Sequence, residues 1–149
     1  VSGPYGDFGA RDTGREMVLI GGGVGMAPLR SIIHEQLSRP GASRKISYWY
    51  GARGLADAFY TDEFRALEAE HPNFSFTLAL SDPPDEVPPG VQTGFIHQVA
   101  HDQYLRDHPA PEDCEYYLCG PPLMIGAVRS MLDSLGVEED AIFFDDFGG

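Results

Sequence analysis

The chain has 149 residues, a formal net charge of −13 and 42% hydrophobic residues, a composition typical of one acidic globular domain with a sizeable core. The negative charge argues against a nucleic-acid partner, whose phosphates it would repel, and against a basic membrane-docking face. No apolar run approaches the ~20 residues that a membrane-spanning helix needs, and the first residues do not have the pattern of a signal peptide.

The first predicted elements are a strand and a helix joined by a glycine-rich turn. Residues 17–20 form an apolar run typical of a buried parallel strand, and the turn that follows carries glycines at 21, 22, 23 and 25. A helix is predicted to begin near Pro28, a residue suited to a first helical turn. The turn and the helix N-terminus would offer free backbone N–H groups and the positive end of the helix dipole, so a bound diphosphate is predicted there.

Four further strands follow from apolar and β-branched or aromatic runs, at residues 46–50, 74–80, 115–119 and 141–144. Three further helices are predicted from apolar spacing, from near Phe59 to Pro72, from Thr93 to Tyr104, and from 122 to Leu135. Tyr48, Trp49 and Tyr50 are expected in the core of the sheet. Five strands alternating with four helices predict an α/β fold, an open five-stranded parallel sheet with helices on both faces.

The two cysteines lie five positions apart in what is predicted to be one strand. This odd separation puts Cys114 and Cys119 on opposite faces of the sheet, so no disulfide between them is predicted. A reducing compartment is the expected environment.

Ligands of open parallel sheets bind at the carboxyl ends of the strands, where the strand order reverses. In this chain those ends carry the glycine turn, residues 50–53, residues 81–82, residues 119–122 and the C-terminal tail. The sequence therefore predicts a nucleotide site at that edge. The glycine spacing itself matches neither the usual dinucleotide fingerprint nor a lysine-containing phosphate loop.

Several motifs then carry a family resemblance. Gly-Gly-Val-Gly-Met-Ala-Pro at 22–28, Tyr-Gly-Ala-Arg at 50–53 and Tyr-Leu-Cys-Gly-Pro-Pro at 117–122 resemble the ferredoxin–NADP⁺ reductase superfamily. More narrowly, the segments at 47–53, 93–97, 111–117 and 144–149 resemble the F subunit of the sodium-translocating NADH:quinone reductase. The resemblance covers nearly the whole chain but matches only the C-terminal nicotinamide-nucleotide domain of that subunit.

The resemblance implies a domain division and a set of partners. Residues 1–12 are expected to be the tail of an upstream flavin-binding domain or a linker, and residues 13–149 an NADH-binding domain. FAD and a 2Fe-2S centre would reside in absent upstream flavin and ferredoxin-like domains of the same chain. Hydride would pass from NADH to FAD, and electrons through the iron–sulfur centre to quinone with sodium transport. The expected setting is the cytoplasmic side of the bacterial inner membrane, among the other membrane subunits of the complex.

The resemblance also implies roles for individual residues. Cys119 is expected near the hydride-carrying carbon of the nicotinamide, and Phe147 is expected to cover the flavin ring and to move aside for hydride transfer. The expected cofactor-binding residues are Gly22, Gly23, Gly25, Met26, Ala27, Pro28, Tyr50, Gly51, Arg53, Gly120, Pro121 and Pro122. His97 and His101 are spaced as a helical metal pair, but no third ligand is evident and no metal site is predicted.

Two choices stay open at this level. Arg53, just beyond the second strand, taken alone favours the 2′-phosphate of NADPH, and no acid occurs before Asp57. Residues 54–61 contain no second basic residue, and the resembled subunit uses NADH, so a preference for NADH is predicted. The alternative enzyme is the reductase component of a bacterial aromatic-ring oxygenase, and the alternative class is a non-catalytic nucleotide sensor.

Overall fold

A computed structural model of the chain describes residues 13–22, 27–39, 41 and 43–146. The strands are β1 (Met17–Gly22), β2 (Ile46–Ala52), β3 (Phe74–Leu80), β4 (Gln92–Thr93), β5 (Glu115–Gly120) and β6 (Ile142–Asp146). The α-helices are α1 (Ala27–Leu37), α2 (Thr61–Glu70), α3 (Ile96–Ala100) and α4 (Pro122–Ser134). A π-helical turn, His101–Leu105, continues α3. The predicted residues 1–12 of the upstream segment lie outside the described residues.

The strands form one sheet in the order β4-β3-β2-β1-β5-β6, and each neighbouring pair is parallel. The chain moves outward from β1 to β4 on one side and then returns to place β5 and β6 on the other. The strand order therefore reverses between β1 and β5, which is where ligands of such sheets bind. The α/β class and the parallel sheet with helices are confirmed.

The predicted number of strands was wrong, because the described sheet has six strands and not five. Thr93 was expected to cap a helix, but it pairs with Leu80 as part of β4. The N–H of Gly94 then donates to the Leu80 carbonyl at 2.8 Å, which keeps the backbone extended up to this residue. Gly94 turns the chain at φ 117, a conformation that favours glycine, and α3 begins only at Ile96.

Helix α2 begins at Thr61, close to the predicted start. Tyr60 precedes it in the left-handed region at φ 61. The last long helix ends at Ser134, and Gly136 at φ 84 turns the chain after it, as the predicted termination requires.

Two apolar layers cover the sheet, because successive residues of a strand point to opposite faces. Tyr48 and Tyr50 pack on the face covered by α1 and α2, whereas Trp49 packs on the face covered by α3 and α4. All three are buried, which confirms the predicted aromatic core. Cys119 lies in the first layer and Cys114 in the second, and no disulfide joins them, as predicted.

Glycines at the strand ends allow α3 and α4 to lie directly against the sheet. A Cβ placed on Gly51 would lie 2.8 Å from Ile96 Cβ, and one on Gly22 or Gly120 would lie within 2.8 Å of the Met124 side chain. Separations under about 3.0 Å do not occur between real Cβ atoms and their neighbours. Glycine is therefore needed at Gly51, where the branched Cβ of Ile96 occupies the space of a side chain, whereas the flexible end of Met124 fills the space at Gly22 and Gly120.

Helices α1 and α2 are joined by an ion cluster around Glu63. Arg30 donates to both carboxylate oxygens, at 2.7 and 2.9 Å, and His34 Nε2 lies 2.6 Å from Oε2. The hydrogen bond from Arg30, supported by His34, lowers the pKa of Glu63 to about 2. Arg30 also stacks over the Tyr60 ring, 4.4 Å from its centroid. The cluster thus connects the helix that follows the glycine turn to the start of α2.

We expect Gly51→Ala to destabilise the domain by about 1–3 kcal/mol, because the new methyl group overlaps the branched Cβ of Ile96, which cannot swing away. The matched control is Gly126→Ala within α4, where a Cβ meets nothing within 4 Å. That substitution should stabilise the domain by about 0.5–1 kcal/mol through helix propensity. Urea unfolding at 25 °C measures both values, and equal stabilities of the two variants would contradict the packing argument.

Glu63→Gln should make the domain less sensitive to acid. Since the pKa of Glu63 is lowered in the folded state, its carboxylate contributes fully above about pH 4.5 and this contribution is lost as the pH falls toward 2. We expect the substitution to lower the free energy of unfolding by roughly 1 kcal/mol at pH 7, and we expect this loss to become smaller below pH 4.5. Melting temperatures between pH 7 and 3 measure it, with Asp62→Asn in the same helical turn as the control. A cost unchanged at pH 3 would argue against an ionic contribution.

Candidate functional site

A cavity of about 720 Å³ opens at the carboxyl ends of β1 and β2, beside the first turns of α3 and α4. Among the described residues, its lining comprises Gly22, Gly51, Ala52, Arg53, Asp57, Phe59, Ser81, Gly94, Phe95, Ile96, His97, Pro121, Leu123, Met124 and Ala127. These residues come from five stretches of the chain that only the sheet topology brings together. The cavity lies at the predicted edge of the sheet and has the volume of a small-molecule site.

Large apolar side chains stand exposed around this cavity. Leu123 is 90% exposed, Phe95 is 66% exposed and Phe59 is 41% exposed, although each lines the cavity wall. The Phe95 ring stacks against His97 with their centroids 6.2 Å apart. Exposed apolar groups that cluster around a concave surface mark a binding site for a ligand with a flat or apolar part.

Two charged residues, Arg53 and Asp57, also line the cavity. Asp57 belongs to a short 3₁₀ turn, Leu55–Asp57, which the buried Tyr50 holds in place. The Tyr50 hydroxyl donates to the Asp57 carbonyl and accepts from the Phe59 N–H, both at 3.3 Å. Burial raises the pKa of Tyr50, so the hydroxyl keeps its proton and remains a donor. The cavity therefore offers one cation and one carboxylate to the polar parts of a ligand.

The structure brings only some of the predicted site residues to this cavity. Gly22, Gly51, Arg53 and Pro121 line it. Tyr50 and Gly120 are buried, Pro122 is an exposed residue at the start of α4, and Ala27 and Pro28 open α1. The predicted residues Gly23, Gly25, Met26 and Phe147 lie outside the described residues.

Cys119 is fully buried in the layer under α1 and α2. Its register partner on the neighbouring strand β1 is Gly21. The hydroxyl of Tyr48 lies close to Gly21, since a Cβ built on this glycine would be 3.2 Å from it. That hydroxyl has no hydrogen-bond partner among the described residues, and burial raises its pKa far above the usual range. In this conformation the Cys119 thiol is closed off from solvent, and its burial accords with a small core residue.

Sequence analysis missed several residues that form the cavity. Phe95 lies within the recognised motif at 93–97, and Leu123 directly follows the motif at 117–122. A predicted helix does not show which of its apolar residues stays exposed. Asp57 was noted only as the first acid after Arg53 and was not assigned to the site. His97 lines the cavity, and His101 Nδ1 lies 2.9 Å from the Asp102 carboxylate. None of the described helices is long and apolar enough to cross a membrane.

Comparison with known proteins is consistent with this geometry. Residues 19–130 match the family model of the oxidoreductase NAD-binding domain. All 149 residues align with the F subunit of the Na(+)-translocating NADH-quinone reductase of Pseudomonas paraeruginosa at 60% identity and of Methylococcus capsulatus at 58%. The chain spans 37% of the length of each of these two relatives. The predicted resemblance to this reductase is confirmed.

Solved structures show the same architecture. The Amycolatopsis cytochrome P450 reductase GcoB superposes with a TM-score of 0.77 at 35% identity, over 97% of this chain and 40% of that one. The ferredoxin reductase in carbazole 1,9a-dioxygenase superposes with a TM-score of 0.74 at 29% identity, over 93% of this chain and 39% of that one. The FAD/NAD-binding domain of nitric oxide dioxygenase from Vibrio cholerae gives 0.78 at 26% identity, over 96% and 55%. The chain therefore belongs to the family of oxidoreductase NAD-binding domains and has their ferredoxin reductase-like fold.

Proposed function

We propose that the cavity holds the adenosine half of NADH and that this domain presents the nicotinamide to a flavin on a neighbouring domain. The observation that carries the proposal is the apolar cavity with Arg53 and Asp57 in its wall, at the carboxyl edge of the sheet in a member of an NAD-binding family. Phe95 and Leu123 would contact the adenine ring. Arg53, which lines the cavity, would pair with the diphosphate.

We also propose that the domain prefers NADH. A carboxylate in the wall of an adenosine site accepts hydrogen bonds from the ribose hydroxyls and repels a 2′-phosphate. Asp57 supplies such a carboxylate, although it follows β2 by five residues and is carried back by the turn that Tyr50 anchors. Arg53 alone does not select the phosphate, because an acid shares the cavity wall with it.

The nicotinamide half is proposed to lie beside residues 119–122, with Phe147 covering the flavin until NADH binds. The chain's own contribution is to hold the dinucleotide and to orient its reactive ring, since binding and orientation are what a protein supplies to cofactor chemistry. Main-chain amides of residues 22–26 would grip the diphosphate. Since Cys119 is fully buried in this structure, contact between its thiol and the nicotinamide would require neighbouring residues to move.

For the whole protein we propose a flavin-dependent NADH:quinone oxidoreductase of the sodium-translocating kind. When bound upstream, FAD would accept the hydride and a 2Fe-2S centre would carry single electrons toward quinone. Identity of 60% to the quinone reductase relative, against 29% to the ferredoxin reductase of a dioxygenase, supports this proposal over an oxygenase reductase. The upstream flavin and ferredoxin-like domains and the membrane subunits at the cytoplasmic face are the proposed partners.

The purified chain should bind NADH more tightly than NADPH, and Asp57→Asn should narrow the difference. Loss of a hydrogen bond to a charged group costs about 1.5–3 kcal/mol, so NADH should weaken roughly 10–100-fold. NADPH should be unaffected or bind more tightly, because a repulsive charge is removed. Calorimetric titration measures the affinity for each nucleotide. The control is Asp85→Asn, in the exposed loop of residues 81–90. Tighter binding of NADPH by the unaltered chain would overturn the proposed preference.

The purified 149-residue chain should retain no flavin and should oxidise NADH at a negligible rate, because the flavin site is proposed to lie upstream. A longer chain that includes the preceding flavin domain should retain FAD and should reduce it with NADH. Absorbance of the purified proteins and stopped-flow reduction measure both properties. Stoichiometric flavin on the short chain would contradict the proposed division, and a flavin-loaded long chain that NADH does not reduce would favour a sensor.

A further inference from the structure

The opposite edge of the sheet carries a compact group of three potential metal ligands. Glu16 directly precedes β1 and Cys114 directly precedes β5, and the N–H of Glu115 donates to the Glu16 carbonyl at 2.8 Å. This pairing continues the parallel register of Met17 with Glu115 and sets Glu16 beside Cys114. His108, in the loop before β5, completes the group, and its ligand atom and those of Glu16 and Cys114 all lie within 4.8 Å of one another.

The separation of the sulfur and nitrogen ligand atoms is that found around a small tetrahedral cation. His108 Nε2 lies 3.6 Å from Cys114 Sγ and 2.9 Å from Glu16 Oε1. Zinc binds sulfur at about 2.3 Å and nitrogen at about 2.0–2.1 Å, which at the tetrahedral angle puts those two atoms about 3.6 Å apart. The carboxylate needs to withdraw from the imidazole by only about 0.5 Å to take its own tetrahedral position.

Chemistry and burial also favour zinc. One sulfur, one nitrogen and one oxygen ligand form a mixed set that zinc accepts and that calcium and magnesium do not. A thiolate and a carboxylate together cancel the two positive charges of the ion. Cys114 is 1% exposed, while the side chains of Glu16 and His108 are 16% and 11% exposed. All three side chains are thus largely buried, and three protein ligands would leave the fourth tetrahedral position of zinc to a water molecule.

Neighbouring groups orient Glu16 and set the tautomer of His108. The Tyr104 hydroxyl donates to Glu16 Oε2, so Oε1 faces His108. The Ala110 N–H donates to His108 Nδ1 at 3.0 Å, and the Nε2 proton therefore points to Glu16 in the metal-free protein. The hydrogen bond from Tyr104 is of the kind that orients a ligating carboxylate, whereas the one from Ala110 holds the metal-free tautomer of His108.

The geometry points to a zinc site formed by Glu16, His108 and Cys114, separate from the nucleotide cavity. On binding, the imidazole proton moves from Nε2 to Nδ1, which costs the bond from Ala110, and the imidazole stays neutral. The Cys114 thiol forms a bond to the ion and releases its proton to solvent. One proton is therefore released per ion, and no oxidation occurs.

Sequence analysis predicted no metal site, because these ligands follow no metal-binding spacing. His108 and Glu16 are 92 positions apart, and Cys114 follows His108 by six. Only the register between β1 and β5 brings them together. Occupancy would connect the beginning of β1 to the loop before β5, so the ion is expected to stabilise the domain rather than to act on the nucleotide.

Cobalt(II) is the probe for this site, since it takes tetrahedral zinc positions and its bond to a thiolate gives a near-ultraviolet charge-transfer band. When cobalt(II) is added to the chelator-treated full chain, this band should appear and reach saturation at one equivalent. Addition of zinc should displace the cobalt and remove the band. Cys114→Ser should abolish the band, whereas Cys119→Ser, the matched control on the other face of the sheet, should keep it. Glu112→Gln, in the same loop, should also keep it.

Zinc should raise the melting temperature of the unaltered chain, and His108→Ala should remove this shift, because only the folded protein holds the site. Melting of each variant in chelator shows whether it folds without metal. The proposal is overturned if cobalt gives no thiolate band, if the band survives Cys114→Ser, or if binding is indifferent to both substitutions. Titration with NADH should be the same for all folded variants at Cys114 and His108, so failure here leaves the proposed nucleotide site untouched.

Discussion

The close approach of α3 and α4 to the ends of the strands is the constraint on which the site depends. Helix α3 can lie there because β2 carries Gly51, where Ile96 occupies the space of a side chain, and the end of the Met124 side chain of α4 fills the space beside Gly22 and Gly120. The first turns of the two helices then stand beside one another over the edge of the sheet. The hollow between them is the cavity, so the same glycines that permit the packing also open the site.

The two edges of the sheet are built on opposite principles. The carboxyl edge is apolar and open, whereas the amino edge is held by a buried ion pair, Arg44 Nη2 to Glu115 Oε1 at 2.7 Å. The hydroxyls of Thr13 and Tyr117 also donate to this carboxylate, both at 2.8 Å. A buried charge is tolerated only when its hydrogen bonds are met, and these bonds fix the chain just before Glu16. The rigid edge thus supports the proposed ion, and the open edge supports a ligand.

Apolar periodicity was sufficient to predict the parallel sheet, because buried strands and one-sided helices have distinct patterns. It missed β4, since Gln92 and Thr93 are polar and pair only because the Leu80 carbonyl accepts from Gly94. The glycine-rich edge was also predictable, but which side chains would line it was not. Exposure of Phe95 and Leu123 depends on how two helices meet, and that relation is not encoded in the spacing within either one.

The charged residues at the proposed adenosine end of the cavity show that a tertiary hydrogen bond can alter a prediction made from sequence position. The prediction concerns the choice between NADH and NADPH. The sequence rule for this choice inspects the residue that follows the second strand and finds Arg53, which taken alone selects a phosphate. The next acid, Asp57, is carried into the cavity wall by a single 3₁₀ turn whose last residue binds the hydroxyl of buried Tyr50. The structure shows Tyr50 as the anchor of this turn. The acidic residue in the cavity wall therefore depends on a hydrogen bond that no inspection of neighbouring sequence positions reveals.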